Sequence, residues 1–158
     1  MKSVRRLALV GVVLFVCVTP LLAQNDGAFA SGQFQFISDG APASIHFSAR
    51  LRSSGESGDI AFSSSTGLTV TVDVDCVVVS GNRAAMSGTI TASSQPELVG
   101  SRSLLVVEDN GQGNKATPDR ATWVVVSAVD CHALPPSAYA LHDVTDGHIH
   151  VKASNVPF

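Results

Sequence analysis

From Thr69 to Val79 apolar and polar positions alternate, with Val70, Val72, Val74, Cys76 and Val78 on one parity and Thr69, Thr71, Asp73 and Asp75 on the other. A strand turns successive side chains to opposite faces, so this period of two predicts a half-buried strand. Ser80-Gly81-Asn82 follows at once. Ala84, Met86, Gly88 and Ile90 then oppose Ala85, Ser87, Thr89 and Thr91, which predicts the returning arm of a hairpin. The same period places Phe34 and Phe36 on one face of a strand over 32–37. It sets Ile45, Phe47, Ala49 and Leu51 against His46, Ser48, Arg50 and Arg52, puts Ile60 and Phe62 inward over 59–63, and sets Ile149 and Val151 against His148, His150 and Lys152. Residues 103–108 are apolar enough to be covered on both faces, and 121–130 predicts their return strand. Turn-forming clusters at 53–58, 64–67, 93–100 and 109–114 punctuate these runs, and 139–146 reads as irregular. The expected fold is all-β, with about eight antiparallel strands in meander order. Such a sheet must hide its edges, and a barrel-like sandwich does so.

The amino terminus reads as an address rather than as part of that fold. Lys2, Arg5 and Arg6 precede an apolar run from Leu7 to Val18, and Ala23 offers a small residue before Gln24. This is the pattern of a secretory signal peptide over 1–23, leaving 24–158 as a single β-domain in a secreted or periplasmic location. A membrane span needs roughly 20 apolar residues, and Pro20, Gln24, Asn25 and Asp26 end the run too early. Leu14-Phe15-Val16 lacks the small residues expected before a lipidated cysteine, so Cys17 reads as signal core.

Removing that segment takes away three cations and no acid, so the remaining domain is more acidic than the net charge of −3 of the whole chain. An acidic surface argues against nucleic acid or an anionic membrane as partner. The expected partner is an extracytoplasmic protein or surface, and a monomer is expected. Two cysteines remain. Cys76 shares parity with Val70 to Val78, and Cys131 with Trp123, Val125 and Val129, so both are expected to point into one core and to form a disulfide in an oxidising compartment.

Candidate chemistry is sparse. Asp109-Asn110-Gly111-Gln112-Gly113-Asn114, with Asp119, offers oxygen ligands for calcium, although glycines stand where an EF-hand loop has ligands and no closing Glu follows. His142, His148 and His150 point to a zinc or copper site, because His148 and His150 share a strand face and Asp143 or Asp146 would supply a third donor. A solvated hairpin loop and a solvated strand face explain the same residues. His132, next to Cys131, reads as a surface residue on the opposite face. No G-x-S-x-G elbow and no evident carboxylate pair occurs, so no catalytic residue and no cofactor is assigned. The expected role is a non-enzymatic binding or structural domain, and the alternative is a carrier of small apolar ligands inside a barrel.

The segment Val74-Asp75-Cys76-Val77-Val78-Val79-Ser80-Gly81-Asn82-Arg83-Ala84-Ala85-Met86-Ser87-Gly88 resembles the V-x-C-x-x-V-x-G-N-x-A-x-x-x-G core of an uncharacterised family of bacterial exported β-domains. Val107 to Gly113, with Asp119, resembles that family's V-x-D-N-G-x-G segment. Gly147 to Val151 is similar to its last strand, with His148 where Asn is usual. These are turn and strand signatures, so the resemblance implies an extracytoplasmic β-domain and no reaction.

Overall fold

The computed structural model describes residues 27–112 and 117–154. The stretch 1–23, read above as a signal peptide, and the loop residues Gly113 and Asn114 lie outside them. Nine strands form: β1 (Phe29–Ser38), β2 (Ala41–Arg52), β3 (Gly55–Ser64), β4 (Thr69–Ser80), β5 (Arg83–Ser93), β6 (Arg102–Glu108), β7 (Arg120–Val126), β8 (His142–Asp143) and β9 (Asp146–Lys152). All pair antiparallel in one sheet of order β8-β7-β6-β5-β4-β3-β2-β1-β9. The expected meander is therefore present, curled into a half-barrel. Strands β8 and β9 sit at opposite edges of the sheet, although only Val144 and Thr145 separate them in the chain. Curling is what makes this possible. Val144 N donates to Asp119 O beside β7, and Thr145 N donates to Gln35 O on β1, so one extended segment spans the gap between the two edges.

Local chemistry sets the turns. Asp39 and Gly40 both have positive φ, 51° and 78°, as a tight two-residue hairpin between β1 and β2 requires. Strand β3 begins at Gly55, inside the stretch expected to be a turn, because Gly55 to Gly58 continue the ladder opposite Ala49 to Arg52. Strand β7 is shorter than expected. It ends at Val126, and the chain from 127 to 141 leaves the sheet.

The inner face is filled. Ala43, Ile45, Phe47 and Ala49 of β2, Ile60 and Phe62 of β3, and Val70, Val72 and Val74 of β4 pack with Met86, Ile90, Leu105 and Val107 in one cluster. An aromatic run crosses this interior. Phe47 meets Phe34 edge-on at 6.1 Å between centroids, Phe34 lies 5.7 Å from Phe36, Phe36 lies 6.3 Å from Phe62, and Phe62 stacks on Trp123 at 5.6 Å and 8°. Phe62 on β3 and Trp123 on β7 are not sheet neighbours, so their stacking ties the two sides of the curl through its centre. Such pairs contribute about 0.5–1.5 kcal/mol each beyond burial.

A second apolar cluster lies on the other side of β4 to β6. Cys76, Ala85, Leu104, Val106, Cys131 and Leu141 form it, with Val78, Val129 and Tyr139 against them. The disulfide joins Cys76 and Cys131, with Cα atoms 5.9 Å apart. The bridge is as expected, but its location is not: both cysteines were expected in the inner core. Opposite β5, Val74 faces Gly88 and Cys76 faces Ser87, which leaves Asp75 as an extra, unpaired residue. This β-bulge reverses the parity, so Val77 takes the inner face and Cys76 and Val78 turn outward. Gly88 accommodates the bulge, since a Cβ there would lie 2.1 Å from Asp73 O.

Candidate functional site

Asp109 and Asp119, considered above as calcium ligands, hold the free edge of β9. Ile149 N donates to Asp119 Oδ2 at 2.8 Å and Val151 N to Asp109 Oδ2 at 3.0 Å, while Gly147 N donates to Asp146 Oδ1 at 2.8 Å. Three alternate amides of one strand thus meet three carboxylates rather than a neighbouring strand. Their second oxygens organise the loop: Asn110 N donates to Asp119 Oδ1 and Gly111 N to Asp109 Oδ1. A sheet edge left bare is a template for aggregation, and these carboxylates occupy it. They also join the β6–β7 loop to β9, across the gap in the curl.

The histidines disperse. His148 and His150 share the outer face of β9 as expected, both exposed, and His142 is exposed on β8. His150 Nδ1 lies 3.5 Å from Asp109 Oδ2, and its ring sits 5.3 Å from Phe29. His148 instead borders a shallow open groove with Gly111, Pro118, Asp119, Val144 and Asp146. Among the described residues, no third donor joins His150 and Asp109 at metal-ligand range.

Donors do converge beside the disulfide. Glu56, Cys76, Cys131 and His132 form a group, the one of its kind among the described residues, whose ligand atoms all lie within 4.8 Å of one another. Residues 131 and 132 stand in a turn, so the strand rule that would send neighbours to opposite faces does not apply. His132 N donates to Asp130 Oδ1 at 2.9 Å, which sets this turn, and His132 Nε2 reaches Glu56 Oε1 at 3.2 Å. Glu56 is fixed from its other oxygen, because Val77 N donates to Oε2 at 2.8 Å just past the bulge. The early start of β3 and the bulge in β4 together place Glu56 here. Only the Cys131-His132 adjacency was visible in the sequence.

Next to this group Arg102 grips the bulge. Its guanidinium donates to Asp75 Oδ2 at 2.5 Å and Oδ1 at 2.7 Å, to Ser87 and Thr89 hydroxyls, and to Val129 O. The hydrogen bonds from Arg102 hold the Asp75 carboxyl below the usual carboxylate range, against a smaller opposing effect of burial.

Comparison with family models, with curated proteins and with solved structures gives no match to this chain. The resemblance drawn above therefore rests on the motif residues alone.

Proposed function

We propose that this chain acts outside the cytoplasm as a non-enzymatic β-domain, through binding at its outer surface or as structure. One observation carries the reading: the polar groups suited to chemistry are engaged in holding the fold. Asp109 and Asp119 carry the β9 edge, Asp75 and Arg102 lock the bulge, and Glu56 holds the Val77 amide. The disulfide supports an oxidising destination. No helix among the described residues is long and apolar enough to cross a membrane. The carrier alternative needs an apolar hollow, and the aromatic run from Phe47 to Trp123 fills the space it would use.

The test has two arms. Intact-mass analysis of protein recovered outside the cytoplasm is expected to give a chain beginning at Gln24 with Cys76 and Cys131 linked, and retention of 1–23 would overturn the export reading. Titration with apolar fluorescent ligands is expected to give no saturable uptake. Micromolar, saturable binding that a Phe36→Trp filling substitution abolishes would favour the carrier instead.

A further inference from the structure

The cluster beside the disulfide has the composition of a metal site whose two sulfurs are bonded to each other. We propose that Glu56, Cys76, Cys131 and His132 form a redox-gated site for a thiophilic divalent cation, best matched to zinc, which the disulfide closes and reduction opens.

Geometry supports this first. Nitrogen and oxygen ligands about 2.0–2.1 Å from a tetrahedral zinc sit about 3.3 Å from each other. His132 Nε2 and Glu56 Oε1 stand 3.2 Å apart, already at that spacing. Two thiolates on the same ion sit about 3.8 Å apart. Cysteines with Cα atoms 5.9 Å apart reach that separation through side-chain rotation alone. Both non-sulfur donors are oriented by other contacts. The Asp130 carboxylate sets the His132 backbone, and the Val77 amide holds the second Glu56 oxygen, which leaves Oε1 directed at the cluster.

Charge supports it second. Reduction places two thiols beside the Glu56 carboxylate, with Asp130 Oδ1 3.4 Å from the Cys76 sulfur. The Arg102 guanidinium, which also reaches Val129 O, is paired with Asp75. Two thiolates and two nearby carboxylates repel one another unless a cation joins them, so the reduced state favours a divalent ion over the bare anions. Access fits as well: His132 is more than half exposed while Cys131 is fully buried, so an ion enters past the imidazole and seats against the sulfurs.

The exchange balances. A dithiol supplies two electrons and two protons: the Cys76–Cys131 bond breaks, the dithiol sulfurs join as a disulfide, and each cysteine sulfur keeps one proton. Zinc then displaces those two protons to solvent as two Zn–S bonds form. A small-molecule disulfide reverses the exchange: it accepts two electrons from the two thiolates and two protons from solvent and leaves as a dithiol, while the Cys76–Cys131 bond re-forms and both Zn–S bonds break to release the ion.

The test uses the folded domain reduced with a dithiol, freed of reductant without oxygen, and titrated with cobalt(II) and then zinc(II). One equivalent of cobalt is expected to give thiolate charge-transfer absorption with tetrahedral d–d bands, and zinc is expected to abolish both with release of two protons per ion. Oxidised protein is expected to give neither signal. In the reduced state Glu56→Gln and His132→Ala are each expected to weaken zinc at least about tenfold, whereas His148→Ala/His150→Ala leaves it unchanged. Glu56→Gln keeps a carbonyl oxygen for the Val77 amide, so its loss of affinity reports ligation rather than folding. If reduction unfolds the domain, zinc is expected to restore its far-ultraviolet circular dichroism, and failure to do so overturns the proposal. It is equally overturned by a cobalt complex without thiolate bands, by equal binding to oxidised protein, or by unchanged affinity in both variants.

Discussion

Strands β2 and β6 belong to one sheet but read differently. In β2, Ala43, Ile45, Phe47 and Ala49 are buried and their neighbours His46 and Arg50 are exposed. In β6 all residues from Ser103 to Val107 are buried. The difference comes from what lies outside. Residues 127–141 cross the outer face of β4 to β6 and bring Val129, Cys131, Tyr139 and Leu141 onto it, while among the described residues no such layer covers β2. A sheet of uniform topology thus divides into a half stabilised from within and a half held from both sides. The outer layer is small and cannot rely on burial alone, which is why a disulfide and the five-bond grip of Arg102 accompany it.

The sharpest way to break the comparison is from within. Phe47→Ala removes a side chain that is 1% exposed at one end of the aromatic run and is expected to cost about 3–5 kcal/mol. Because both halves share this core, chemical denaturation should remain a single transition with a lower midpoint.

Cys76→Ala/Cys131→Ala acts on the outer layer. Freeing a loop closed across 55 residues is expected to cost about 4 kcal/mol on the chain-entropy estimate. Hydrogen exchange is expected to accelerate first in 127–141, with amides of β1 to β3 protected until global unfolding. Uniform acceleration would mean that the two halves do not differ.

Asp119→Ala tests the joint between β9 and the β6–β7 loop. It strips Ile149 N and Asn110 N of a charged acceptor, for an expected loss of about 2 kcal/mol. It also leaves part of the β9 edge bare, so light scattering on heating should rise more than the stability loss alone explains.

The smallest effect is expected from Arg102→Ala, about 1 kcal/mol at neutral pH, since the Asp75 side chain is 54% exposed and solvent screens the pair. Its pH dependence is more telling. Arg102 depresses the Asp75 carboxyl in the folded protein below its ordinary 3.8, so the pair stabilises fully above that value and loses its contribution as pH falls through the folded one. Acid melts below pH 3.8 are therefore expected to destabilise the wild type more steeply than the variant. Parallel curves would remove Asp75 from the outer layer's defence.

Much of this fold was legible in residue order. Alternation identified the strands from Phe34 to Ile90 and over 147–151, the turn clusters gave their antiparallel sequence, and the continuous apolar run at 103–108 announced cover on both faces. The site was less legible. Asp109 and Asp119 look like loop oxygens in sequence, because their acceptors' partners are amides some 30 to 42 residues away. His132 is on the surface as expected, but it reads as facing away from Cys131 because its turn is invisible beside an apparent strand. Glu56 sits in what reads as a flexible turn.

Sequence by itself determined the class of structure, since a period of two can bury its apolar face only in a sheet, and it pointed to the Cys76–Cys131 bridge once the stretch 1–23, which holds Cys17, is read as a leader. Tertiary structure decided which way they point. After Asp75 the residues Val77, Val78 and Val79 are all apolar, so either parity satisfies the local pattern. Register against β5 makes the choice: Gly88 opposite Val74 admits one extra residue, and that residue sends Cys76 outward to meet a segment that only the folded chain brings over it.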